Sequence, residues 1–125
     1  MNDLTTVQTS IVAALRAAPA TYPIKDSVPQ GLAKPYIVFG EIVADPDEEL
    51  AAATTDAAIN LHTWSATDDK GQTYTMLQFI RARLDGQTIS GAWFCSEDMN
   101  EVMEDPASTA TSRLYHGVAR YRVRV

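Results

Sequence analysis

The sequence predicts an α+β fold in which two helices pack on one mostly antiparallel four-stranded sheet, in the order α-β-β-α-β-β. Apolar residues recur at helical spacing in two segments, and four other segments alternate or are apolar throughout. The length of 125 residues is that of one domain, which we expect to span 1–125. A hydrophobic fraction of 46% is typical of a globular protein rather than a disordered chain.

The N-terminal segment carries a single apolar stripe. Its members are Leu4, Val7, Ile11 and Leu15, at three- and four-residue spacing. Pro19 ends the pattern, because the residue before a proline avoids the helical region. The sequence therefore predicts a helix over 3–17, followed by a proline-containing loop over 19–35.

A second helix is predicted over 70–85. Asp69 is a suitable N-cap, with Gln72 three residues later. The expected apolar stripe consists of Tyr74, Met76, Leu77, Ile80 and Leu84. Gly86 fits the left-handed residue that commonly ends a helix.

Strands are predicted over 36–44, 55–65, 91–100 and 112–124. In the second strand, Ile59 and Leu61 share an apolar face, while His62 and Trp64 lie on the opposite face. Gly40, inside the first strand, indicates a bulge or a close approach of another chain segment.

Charge is distributed unevenly along the chain. The net charge of −6 divides into +1 for 1–40, −11 for 41–105 and +4 for 106–125. The last strand carries Arg120, Arg122 and Arg124 on one face, which we call the arginine ridge. The acidic loop is defined by Asp45, Asp47, Glu48 and Glu49. An acidic protein repels a phosphate backbone, so general nucleic-acid binding is disfavoured.

The residues give little indication of chemistry. His62 and His116 are the two histidines, and no Ser, Cys or Asp motif accompanies His62, so a structural or interface role is favoured over a general base. The acidic loop lacks the spacing of a calcium site. Cys95 is the single cysteine and is expected to be a packed thiol. We therefore predict no catalytic residue, cofactor or metal site, and no apolar run is long enough to span a membrane.

Taken in order, the segments resemble the family of small phage tail-completion or tail-terminator proteins. The resemblance covers nearly the whole chain, and its motifs are Lys34–Gly40 (KPYIVFG), His62–Ser65 (HTWS), Arg83–Gly86 (RLDG) and the arginine-rich Val118–Val125. The order and spacing of these motifs carry the match more than any one of them.

The resemblance implies a structural, non-enzymatic virion protein of a long non-contractile phage tail, a prophage or a gene transfer agent. Proteins of this family form a ring, usually of six copies, that caps the tail tube, ends its polymerisation and joins the tail to the neck of the head. The implied partners are other copies of the chain, the tail tube protein and a connector or stopper protein. DNA would pass through the lumen without specific binding. The implied location is the tail–neck junction of a virion assembled in the bacterial cytoplasm.

Two alternatives remain open at the level of sequence. The chain could be a stopper or connector elsewhere in the neck, which shares the ring geometry. It could also be a small hydrolase or ligand-binding domain that uses His62, His116 and the acidic loop. For the ring, the segmental charges predict that the arginine ridge of one copy faces the acidic loop of its neighbour.

Overall fold

The structure is a computed structural model that describes residues 4–17, 21–27, 35–47, 54–65, 70–89, 93–104 and 114–124. The elements in chain order are α1 (Leu4–Arg16), β1 (Ile24–Lys25), β2 (Tyr36–Asp47), β3 (Thr54–Trp64), α2 (Gly71–Leu84), β4 (Gln87–Ile89), β5 (Trp93–Glu104) and β6 (Tyr115–Arg124). The predicted α+β class with two helices is confirmed. None of the described helices is long and apolar enough to cross a membrane.

The sheet differs from the four-stranded antiparallel sheet that the sequence predicts. It has six strands in the order β1-β2-β3-β6-β5-β4, and β1 pairs with β2 in parallel while the other pairs are antiparallel. The two additional strands are two and three residues long, and both lie at the edges of the sheet. Strands this short show no alternating pattern in the sequence, so periodicity could not reveal them.

The core lies between the two helices and one face of the sheet. Its buried side chains are Val7, Ile11, Leu15, Ile24, Ile37, Phe39, Ile59, Leu61, Met76, Leu77, Ile80, Leu84, Cys95, Ala119, Tyr121 and Val123. The alternation predicted for β3 is confirmed, because Ile59 and Leu61 are buried whereas His62 and Trp64 are partly exposed. Burial of this apolar surface is the main stabilising contribution to the fold.

Helix α2 lies on β6 at Gly117. A Cβ atom at Gly117 would clash with Thr63 Oγ1 and would lie 2.9 Å from Thr73 Cγ2 and 3.3 Å from Leu77 Cδ2. Thr73 is therefore buried against the sheet, and Tyr74 is 49% exposed. The predicted apolar stripe was wrong at Tyr74, because the close contact at Gly117 turns the neighbouring Thr73 inward.

The ends of α2 agree only partly with the sequence. Gly86 has a φ of 70°, so the predicted left-handed residue after the helix is confirmed. At the other end the helix begins after Lys70, whose side chain makes no capping hydrogen bond, and Asp69 lies outside the described residues. Arg83 donates from Nη1 to the carbonyls of Ala14 and Ala17, so its charge lies at the C-terminal end of α1.

The close contact at Gly117 predicts that substitution of this residue destabilises the fold. Gly117→Ala should lower the free energy of unfolding by about 2 to 3 kcal/mol, because the methyl group must displace packed atoms on both β3 and α2. Chemical denaturation of the purified chain measures this change.

Gly86→Ala is the matched control for this substitution. A Cβ atom at this position would meet no atom within 4 Å. The substitution should therefore lower the free energy of unfolding only because a side chain is strained at a φ of 70°. This cost is about 1 kcal/mol. A Gly117→Ala variant as stable as Gly86→Ala would contradict the close packing of α2 on β6.

Candidate functional site on the open face of the sheet

The two helices pack on one face of the sheet, and we call the opposite face the open face. Its partly or fully exposed side chains include Glu41, Asn60, His62, Trp64, Asp98, Met99, His116, Arg120 and Arg122. They alternate along the strands with the buried residues of the core, because successive side chains of a strand point to opposite faces of the sheet. The polar chemistry of the described residues is concentrated on this face.

A β-bulge in β2 builds the centre of the open face. Phe39 pairs with Leu61 and Ile42 with Ile59, so Gly40 and Glu41 together lie opposite Asn60. Two residues facing one is the arrangement of a β-bulge, which changes the direction of the side chains that follow it. The bulge brings the Glu41 carboxylate within hydrogen-bonding distance of β3.

Gly40 allows the His62 ring to lie directly against the backbone of β2. A Cβ atom at Gly40 would lie 2.5 Å from His62 Cδ2, 2.6 Å from His62 Nε2 and 3.0 Å from the carbonyl oxygen of Asn60. The prediction that Gly40 marks a bulge or a close approach is confirmed, and both features occur there.

The Glu41 carboxylate is held through one of its oxygens. Oε2 accepts a hydrogen bond from Asn60 Nδ2 at 3.1 Å and lies 3.2 Å from His62 Nε2. The backbone N–H of Glu41, followed by the bonds from His62 and Asn60, lowers the pKa of this carboxyl from 4.5 to about 2. Because the folded-state pKa is lowered, the resulting stabilisation is present above pH 4.5 and is lost as the pH falls towards 2.

The two histidines are hydrogen-bonded to each other across β3 and β6. His62 Nδ1 lies 2.8 Å from His116 Nε2. Since the Glu41 carboxylate is an acceptor, His62 carries its proton on Nε2, and a neutral His62 then accepts at Nδ1 from His116 Nε2–H. The rings of Trp64 and His116 stack with centroids 4.1 Å apart and planes 7° apart. We call Glu41, Asn60, His62, His116 and Trp64 the bulge site.

A shallow cleft of about 420 Å³ opens beside the bulge site. It is lined by Asp26, Ser27, Val38, Phe39, Gly40, Glu41, His62 and Trp64. Among the described residues, the lining contains two carboxyl groups and an indole but neither lysine nor arginine, so this part of the cleft favours a cation.

The partners of His62 in the bulge site are relevant to the hypothesis that the chain is a small hydrolase. The sequence shows no motif that supplies His62 with a partner, but the structure supplies Glu41 and His116. Both ring nitrogens of His62 are thereby engaged within the chain. Burial raises the pKa of the Cys95 thiol to about 12, so Cys95 is a packed thiol rather than a nucleophile at neutral pH.

The arginine ridge is partly neutralised within its own chain. Arg120 Nε and Arg122 Nε each lie 3.5 Å from an oxygen of Asp98. Asp98 is the extra residue of a second irregularity, where β5 shifts register against β6 between Glu97 and Met99. Pairing of the last two strands, as the sequence predicts it, places the acids of 98–104 beside some of the arginines, and Asp98 is an acid of this segment that contacts Arg120 and Arg122.

The remaining predicted interface residues are placed only by their backbone or lie outside the described residues. Arg124 is opposite Asp56 on β3, and Asp45 is opposite Asp56 on β2. Asp47 is opposite Thr54 at the end of the same strand pair. Glu48 and Glu49 lie outside the described residues. In the described parts of the chain, no group of three or more His, Cys, Asp or Glu side chains is arranged to hold a metal ion.

Comparisons with known proteins identify the family. Residues 9–125 match the family described as Tail completion protein gp17. Among solved structures, a chain of the virion of a native gene transfer agent (GTA) particle is similar, with a TM-score of 0.75 and 18% sequence identity over 95% of each chain. At this identity the likeness shows a shared fold. No curated protein matches the chain significantly. The chain therefore belongs to the tail completion protein gp17 family and is a structural protein of a phage-type virion tail.

Proposed function

We propose that the chain forms a ring that caps the tail tube, ends its polymerisation and provides the surface that joins the tail to the neck of the head. The observation that carries this proposal is the family match over 9–125, which covers every strand of the sheet. Six copies is the stoichiometry expected from the family resemblance. The partners are then other copies of the chain, the tail tube protein and a connector or stopper protein of the neck.

The distribution of charge supports head-to-tail contacts between copies. A ring of identical subunits requires two different, complementary surfaces on each copy. The segments 41–105 and 106–125 have net charges of −11 and +4, so one copy can offer an acidic surface to the basic strand of the next. A predominantly acidic ring would also let DNA pass through its lumen without adhering.

For this contact we propose the arginine ridge and the acidic loop of a neighbouring copy. Asp98 lies 3.5 Å from both Arg120 Nε and Arg122 Nε and so orients the two guanidinium groups on one face of the strand. We expect carboxylates of the neighbouring copy to approach this basic face. Exposed ion pairs contribute ~1 kcal/mol or less each, so these contacts would determine register and partner choice more than affinity.

The length of the tails tests the role in termination. Electron microscopy of particles assembled without the chain should show tubes longer than those of complete particles, because nothing stops the addition of tube subunits. Restoring the chain should restore one defined length. Headless tails of normal length would contradict termination and favour a stopper or connector in the neck.

Neutralising the ridge tests the proposed contact. The triple variant Arg120→Gln, Arg122→Gln and Arg124→Gln should dissociate from the ring about tenfold more readily, since three weak ion pairs are lost at each interface. Glutamine is preferable to glutamate because it adds no repulsion against Asp98. Native mass spectrometry across a concentration series, with tail tube present where the ring requires it, measures the change.

A charge-matched control distinguishes the loss of the ridge contacts from the change in the net charge of the chain. The control replaces Lys25, Lys70 and Arg81 by glutamine, and it should assemble like the unmodified chain. Equal assembly of the two triple variants would mean that the ridge does not contact a neighbour.

A further inference from the structure

We propose that the cleft beside the bulge site binds an arginine side chain presented by a neighbouring protein of the tail. This inference goes beyond the ring function, because it assigns a specific ligand chemistry to a part of the open face. It depends on the geometry of the cleft and not on the position of the chain in the tail.

The Glu41 carboxylate beside the cleft is held in a fixed position. The hydrogen bonds that Glu41 accepts from Asn60 and His62 both end on Oε2. The side chain is 65% exposed, so the carboxylate is accessible to an incoming donor. The lowered pKa extends the ionised form of the group into acidic solution. A carboxylate fixed in this way loses little conformational entropy when it binds a cation.

The indole of Trp64 forms an aromatic wall of the cleft. Trp64 lines the same cleft as Glu41, and its stacking on His116 fixes the plane of the indole. A planar guanidinium can stack on an aromatic ring while it donates to a carboxylate. The ammonium group of lysine is compact and strongly hydrated, and it forms no flat contact of this kind. The combination of fixed carboxylate and oriented indole therefore selects arginine over lysine.

The contacts of this chain's own arginines indicate where an arginine in the cleft would come from. Arg120 and Arg122 contact Asp98, and Arg81 contacts Asp85 and Glu97. Arg16 and Arg83 donate to backbone carbonyls. The arginines with described side chains are all engaged away from the cleft, so we assign its occupant to another protein. Asp26 at the rim adds a second carboxyl group that favours a cation.

A small peptide probe tests the proposal on the full chain. The chain is labelled with ¹⁵N at its two tryptophans and titrated with the blocked tripeptide Gly-Arg-Gly at constant ionic strength. The indole N–H of Trp64 should shift saturably at millimolar peptide, whereas the signal of Trp93 should not. The matched Gly-Lys-Gly peptide should bind at least about fivefold more weakly, because it lacks the planar group.

Two substitutions of glutamate distinguish the bulge site from general charge attraction. Glu41→Gln should weaken binding of the arginine peptide about tenfold, because a charged hydrogen bond is replaced by a neutral one. Glu101→Gln removes an exposed carboxylate from β5 and should leave the affinity unchanged. Asp26→Asn, which leaves the bulge site intact, should weaken binding about twofold and provides a readout if Glu41→Gln does not fold.

Three results would overturn the proposal. They are the absence of a Trp64 shift, equal affinities for the two peptides, and undiminished binding by both Glu41→Gln and Asp26→Asn. The titration does not measure tail length or ring formation, so its failure would leave the proposed ring function untouched. Conversely, a saturable Trp64 response would stand even if the ring function were wrong.

Discussion

The His62 ring lies against the backbone of β2 at a position that only glycine can occupy. A Cβ atom at Gly40 would lie 2.5 Å from the ring, so the close approach depends on this residue. From this position one nitrogen of His62 reaches Glu41 on β2, and the other reaches His116 on β6. His116 in turn stacks on Trp64. Because Gly40 has no Cβ atom, His62 can approach β2 closely and connect side chains of β2, β3 and β6 in one polar and aromatic cluster.

Close packing at a second glycine and irregular register in two strands also determine how side chains are placed on the sheet. On the core face, Gly117 provides the space that seats α2 on β6. On the open face, the irregularities in β2 and β5 each add a residue to a strand and each present a carboxylate, Glu41 and Asp98 respectively. One carboxylate is held by a histidine and an asparagine, and the other lies between two arginines. The open face therefore has fixed charges at two separate positions.

Local patterns in the sequence predicted much of the fold. The two helices, the buried and exposed faces of β3, the irregularity at Gly40 and the positive φ at Gly86 all follow from neighbouring residues. The bulge site could not be predicted in this way, because Glu41 and His116 are 21 and 54 positions from His62. Their meeting depends on strand order and on the one-residue offset of the bulge. The arginine ridge was visible from alternation, whereas its partner Asp98 depends on a register shift that the alternation does not encode.

The ionisation of Glu41 shows directly whether the bulge fixes this carboxylate beside His62. Carbon NMR of the side-chain carboxyl, followed as the pH is lowered, gives the midpoint directly. The structure predicts a midpoint at about 2, since hydrogen bonds from the backbone, His62 and Asn60 stabilise the ionised form. A midpoint near 4.5, the value of an unperturbed glutamate, would mean that His62 and Asn60 do not hold the Glu41 carboxylate in place.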